Sequence, residues 1–308
     1  MDFGTGSRLM ELVQFIRPDG QVINLNSPPT RGIRNMSGWG RPAMTTASIK
    51  SPYQHGENLL SYRLNPRTIT LDLYYKGGCR TDWFNERTKL VNQLGMNATN
   101  PNNPETGILR REYLQDNVYK VRELVCYLSD GLGFDNSRQW HNFGIVEPLT
   151  FIAPDPIIYD PTLVTVTVDT FTEELILPVT FPFLLGTEVA DEGIIYAGTW
   201  PTFPIIEIDG YTTGVTITNT TTNKSLKLDY FIGTGRTVTI DTTYGNKSVT
   251  DDLGNNLISY LIDSDLNQFE IVHDPLVTNG VNSFIFQLEN TNASTEIRIK
   301  YYTRYYGI

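Results

Sequence analysis

RTITLDLYY, residues 67–75, sets Ile69, Leu71 and Leu73 at every second position against polar neighbours. Side chains leave a pleated backbone on alternate sides, so a period of two marks a strand with one face in a core. The period then changes. DWFNERTKLVNQL (82–94) spaces Trp83, Leu90, Val91 and Leu94 as a helical stripe, with Thr81 or Asp82 as N-cap and Gly95 at the end. The other periodic segments are strand-like, so the sequence predicts a mostly β protein with one helix.

Upstream, apolar runs at 12–16 and 22–25 flank Arg17-Pro18-Asp19-Gly20 and predict a hairpin. Between 27 and 66 the pattern dissolves into NSPPTRG, SGWGRP and SPYQHGEN. About forty residues without a sustained period predict a long loop that is functional or folds against a partner. Downstream, strands are expected at 108–114, 118–128 and 143–151. FIAPDPIIYDP (151–161) follows, and its prolines end a strand and stiffen the exit, where a floppy tether would be rich in Gly and Ser. Pro154, Asp155, Pro156 and Pro161 are thus expected to form a semi-rigid inter-domain joint.

The second half alternates at 215–218, 225–230 and 237–241, punctuated by TTTNK, GTG and YGNK, the spacing of a sandwich or barrel. A chain of 308 residues suits roughly two domains. The expected division is 1–155, a joint at 156–161, and 162–308. Charge separates the halves too: before Pro161, 17 basic against 16 acidic residues give +1, and afterwards 7 against 18 give −11. The acidic half should repel nucleic acid and anionic membrane.

The chemistry search returns no site. The first residues, MDFGTGSRLMELVQF, lack a basic region followed by an apolar stretch, so a soluble, unexported chain is expected. Cys79 and Cys126 are too few for a disulfide scaffold and too isolated for zinc. His55, His141 and His273 are scattered, and no nucleophile elbow, metalloprotease helix or phosphate loop is present. Asp263-Ser-Asp265-Leu-Asn267 with Asp274 copies a calcium loop faintly, but Gln268 stands where its glycine belongs, so a turn is expected. Asp251-Asp252-Leu-Gly-Asn likewise reads as a hairpin turn. No catalytic, metal or cofactor residue is assigned, and no enzymatic activity is expected.

The order WGRP near 40, RTITLDLYY, DWFNERTKLVNQL, GILRREY and FIAPDPIIYDP resembles the distal tail protein (Dit) family of siphovirus-type bacteriophages. GTWPTFPIIEIDG (198–210), ITNTTTNKSLKL, the Gly280-Val-Asn282 turn and a final strand extend the resemblance over essentially the whole chain. It implies a tail-tube-like β-sandwich or split barrel with one α-helix, then a galectin-like β-sandwich. It further implies a homohexameric ring at the tail tip that joins the tail tube protein to the tail hub and often to receptor-binding proteins, with DNA only passing through its channel. Assembly would take place in the host bacterial cytoplasm. In that family the stretch after the first hairpin reaches along a neighbouring subunit. Residues 27–66 match that position, which makes Arg31, Arg34, Trp39, Arg41, Met44, Lys50, Tyr53 and Arg63 candidate inter-subunit residues. The galectin set of sugar ligands is absent. A two-domain glycan-binding or adhesion protein is the alternative, and the basic, aromatic segment separates the two.

Overall fold

The computed structural model describes residues 11–27, 30–76, 78–94, 106–133, 139–140, 144–168, 172–173, 187–292 and 294–308. The chain forms two compact units, Met1–Pro161 with Tyr305–Ile308, and Thr162–Arg304.

In chain order the first unit's elements are β1 (Glu11–Ile16), β2 (Val22–Asn24), β3 (Arg31–Ser37), β4 (Met44–Ile49), β5 (Asn58–Leu64), β6 (Arg67–Lys76), α1 (Arg80–Leu94), β7 (Gly107–Gln115), β8 (Val118–Asp130), β9 (Gln139–Trp140), β10 (Gly144–Ala153) and β11 (Ile158–Val168). The predicted strand at 67–75 is β6, and its alternation is met: Ile69, Leu71, Leu73 and Tyr75 are buried while Thr68 and Thr70 face water. Each apolar side chain so buried contributes roughly 2 kcal/mol. β6 pairs in continuous register with β10 and, on its other side and across a bulge, with β3. β10 meets β8, which pairs with β7, and β7 pairs with β1. The resulting sheet folds on a core that Trp83, Leu90 and Leu94 of α1 share with β6, β7, β8 and β10. It does not close: β3 ends one side and β1 with β2 the other, leaving an open seam.

Three expectations are corrected here. The stretch 27–66 is not one irregular loop, for it holds β3, β4 and β5. β3 escaped notice because it is an edge strand with a bulge between Ile33 and Asn35, and a bulge breaks the period of two. β4 and β5 are exposed along nearly their whole length and so carry no buried stripe. On α1, Val91 is exposed, because eight residues at 100° each set it about 80° from Trp83. The helix starts at Arg80, which places Thr81 and Asp82 inside its first turn. Gly95, expected at its end, lies outside the described residues, as does His141.

The second unit's elements are β12 (Thr172–Glu173), β13 (Thr187–Ile195), β14 (Ile205–Asp209), β15 (Gly214–Asn219), β16 (Lys224–Leu228), β17 (Thr237–Asp241), β18 (Ser248–Asp251), β19 (Val281–Glu289) and β20 (Glu296–Tyr305). They build two facing sheets, β18-β17-β14-β20-β11 and β12-β13-β19-β15-β16. Ile206, Ile208, Ile240 and Ile299 of one meet Ile217, Phe284, Phe286 and Leu288 of the other in a single apolar core. This is a two-layer sandwich, the arrangement that buries one face of each sheet.

The motifs noted in this half have plain mechanical roles. Gly210 has φ +101°, and a Cβ there would strike the Ser294 and Thr295 backbone. Gly280 packs its backbone on the Tyr196 carbonyl, with φ +67°. Asn219 Oδ1 accepts the Thr221 and Thr222 N–H groups (3.0 and 3.3 Å) and turns the chain from β15 to β16. Asp265 of the calcium-like stretch instead staples a turn: its carboxylate accepts the Ser225 N–H (3.2 Å) and the Lys224 ammonium (3.1 Å). The Ser225 bond, then the Lys224 bond, hold its pKa below the usual carboxylate range. Asp251 takes the Leu253 and Asn255 N–H groups in the same manner.

Candidate interaction site

Among the described residues β4 and β5 pair only with each other, as a two-stranded sheet of their own. The arm's polar contacts are local: Ser48 donates to Glu57 (2.7 Å), Gln54 to Asn58 (3.0 Å) and Thr45 to Asn65 (2.8 Å). At its base the Tyr306 hydroxyl donates to the Met44 sulfur at 3.4 Å. Beyond that point the arm's described residues are exposed. An isolated hairpin is marginal by itself, since nothing offsets the entropy of ordering its chain.

Its surface is also unusually apolar. Ile49, Leu59, Leu60 and Tyr62 are all more than half exposed. The register sets Met44, Tyr62, Leu64 and Leu59 on one face and Ala47 and Ile49 on the other, with Leu60 the extra residue of a bulge. At the turn Tyr53 is fully exposed (105%) with φ +68°. A bulky side chain in that region costs about 1–3 kcal/mol, and strain of this kind collects at functional positions.

The eight candidate inter-subunit residues do not form one cluster. Lys50, Tyr53 and Arg63 lie on the arm, all exposed, and Met44 is at its base. Arg34 is the exposed bulge residue of β3, and Arg41 is exposed between β3 and β4. Arg31 is buried and turned inward, donating to Glu86 of α1 (2.9 Å) and to the Asn24 carbonyl (3.0 Å). Trp39 is 4% exposed, packed in its own core beneath the Arg111 guanidinium at 5.4 Å. Sequence reasoning overlooked Ile49, Leu59, Leu60 and Tyr62. Their signal was NLLSYRL, an apolar run in a segment with no core of its own.

The proline-rich stretch is tightly held. β10 ends at Ala153, Asp155 accepts the Ile157 N–H (3.1 Å), and Ile157 and Ile158 are buried. Pro154 is exposed, the Pro156 carbonyl accepts a bond from Arg67, and Pro161 sits within β11. Among the described residues no cluster of His, Cys, Asp or Glu could hold a metal ion. No described helix is long and apolar enough to cross a membrane.

Residues 197–305 match the family described as the siphovirus-type tail component, C-terminal domain. No curated protein matches the chain significantly. Among solved structures it resembles the Dit protein of phage SPP1, described as a paradigm of the hub adsorption apparatus in phages infecting Gram-positive bacteria. The TM-score is 0.61 at 17% identity, over 94% of this chain and 98% of that one. It also aligns with a chain of the phage P2 baseplate in its activated conformation with Ca, at TM-score 0.48 and 12% identity, over 95% and 98%. Residues 197–305 thus match a siphovirus-type tail component C-terminal domain, and the chain shares the fold of the SPP1 Dit protein over 94% of its length.

Proposed function

We propose that the protein is a structural component of a phage tail tip in which six copies form a ring around a channel for DNA. The ring joins the tail tube protein to the tail hub and carries receptor-binding proteins. The observation behind this reading is the β4–β5 arm: an apolar hairpin that its own chain leaves uncovered belongs against another surface. A ring of identical chains needs two different patches on each subunit, one projecting and one receiving, and a rotation that closes. Arm and body supply that asymmetry. Within the arm and its approach, Arg41, Lys50, Tyr53 and Arg63 are the contact residues, with Pro154, Asp155, Pro156 and Pro161 as the joint. The first half's near-neutral charge suits a conduit, because a channel gripping phosphates through many Lys and Arg contacts would slow passage.

The test is the mass of the full chain at high concentration, with images of the assembled tail. A closed six-copy ring supports the reading. A persistent monomer in solution, with no cyclic neighbours in the intact tail, contradicts it.

A further inference from the structure

In the sandwich, Gly214 of β15 has no side chain to fill the outer face of its sheet. An open hollow of about 330 Å³ results, bordered by Thr216, Lys227, Asp229, Gln287 and Glu289. We propose that this hollow binds one neutral sugar unit of a glycan. It is built within the second unit of one chain, so the inference stands apart from the ring reading.

Strand register puts these groups in two rows. Gly214 pairs with Glu289 of β19, and Thr216 lies between Gln287 of β19 and Lys227 of β16. One step past Leu228, Asp229 flanks Gly214 on the other side. The backbones carrying Glu289 and Asp229 are two strand spacings apart, about 10 Å, and only the glycine stands between them. A Cβ at Gly214 would come within 3.4 Å of the Glu289 carboxylate, so the glycine keeps the hollow open. The alternation of burial continues beyond β16: Leu228, Tyr230 and Ile232 pack on the core while Asp229 and Phe231 face outward. Phe231 is 56% exposed, its ring braced edge-on by Tyr211 at 5.4 Å.

The sandwich's two outer faces differ in how their polar groups are used. On the other sheet the charges satisfy one another: Arg298 bonds Glu207, Asp209 and Glu296, and Lys300 bonds Glu207. Around the hollow, the side chains of Lys227, Asp229, Gln287 and Glu289 make no hydrogen bond or ion pair among the described residues. Two carboxylates accept, an ammonium donates and an amide does both. Sugar hydroxyls answer all of them, because each hydroxyl both donates and accepts. Bonds to ionised partners are the stronger kind, an exposed aromatic ring beside polar groups suits the apolar face of a pyranose, and the volume is that of a small-ligand site. Charge selects a neutral sugar. Two carboxylates against one ammonium, in the acidic half of the chain, repel glycans that bear phosphate or uronate, whereas a cationic guest would sit against Lys227.

The test is saturation-transfer NMR on the full chain with the methyl glycosides of glucose, galactose, mannose, rhamnose and N-acetylglucosamine. At least one should receive saturation, with a dissociation constant on the order of 1 mM, as suits an open, hydrated site. Asp229→Ala, Glu289→Ala and the hollow-filling Gly214→Val should each weaken that binding about tenfold or more, while Lys300→Ala on the opposite face leaves it unchanged. All of these changes lie on outer faces, so the melting transition of the sandwich should stay in place. No transfer to any of the glycosides overturns the proposal. Transfer that survives all three substitutions at the hollow also overturns it, as does binding of methyl glucuronide or methylamine in place of every neutral glycoside. None of these results bears on whether six copies close a ring.

Discussion

The guanidinium of Arg67 donates through Nη2 to the backbone carbonyl of Tyr306 at 2.8 Å, across 239 positions of sequence. The same side chain bonds the carbonyls of Gly38 (2.8 Å), Gly40 and Pro156. It thereby ties the start of β6 to the approach to the arm, the proline-rich stretch and the chain's last residues. Arg67 is fully buried, and burial lowers its pKa to about 10, partly opposed by Tyr306 and Asp155. Arg67→Met leaves several inward carbonyls without donors and should destabilise the first unit by about 3 kcal/mol or more. Arg67→Lys should recover little, since one ammonium cannot reach carbonyls in four directions. Denaturant midpoints of the two units, followed separately, measure this.

The last four residues have a second hold on the first unit. The Ile308 N–H donates to the Trp39 carbonyl at 3.0 Å, and the Arg122 guanidinium lies 4.0 Å from the Tyr305 ring centre. Deleting Tyr305–Ile308 should therefore lower the melting temperature of the first unit while the sandwich melts unchanged. Equal loss in both units would show that the tail residues act elsewhere.

How much of this was legible depends on where each segment finds its core. β6 and α1 pack against their own chain, so their periods of 2 and 3.6 were written in Ile69, Leu71 and Leu73 and in Trp83, Leu90 and Leu94. The turn motifs of the second unit were legible because Asn219 and Gly280 serve local geometry. β4 and β5 were not, since a strand with water on both faces carries no alternation. The return of the C-terminus was hidden for another reason: Arg67 binds backbone carbonyls, and a carbonyl leaves no mark on residue type. The candidate interaction residues were legible only in part. The basic and aromatic excess picked out the segment that holds the arm, but Trp39 and Arg31 are buried in the first unit, and the exposed Leu59, Leu60 and Tyr62 went unremarked.

The two thiols should behave oppositely. Cys79 is exposed and Cys126 buried. Burial raises the Cys126 pKa to about 12, opposed by a backbone hydrogen bond at Leu109. An alkylating reagent at pH 8 should label Cys79 at once and Cys126 only as the first unit unfolds. Because the folded pKa lies above the ordinary value of 9.0, this thiol's contribution to stability is intact below about pH 9 and fades as pH climbs toward 12. Prompt labelling of both thiols would contradict the burial.

In the sandwich, the buried Asn282 side chain mimics a strand. Its Oδ1 accepts the Val272 N–H at 2.9 Å, and its Nδ2 donates to the Val272 and Gly280 carbonyls at 2.8 and 3.0 Å. Asn282→Ala should cost roughly 3 kcal/mol in the second unit, since three backbone groups lose partners. Nearby, burial lowers the His273 pKa, opposed by Asp274. A depressed folded pKa means stability present above about pH 6.5 and lost as pH falls through the folded value. The His273 ring should titrate below pH 6.5 by NMR; titration above it would refute the assignment.

Amide hydrogen exchange across β4 and β5 tests the central claim most directly, comparing dilute chain with assembled tails. The arm's edge and surface amides should exchange rapidly in the dilute chain and become strongly protected on assembly, while β6 stays protected in both states. Equal, rapid exchange of Asn58–Leu64 before and after assembly would show that no second copy covers the arm.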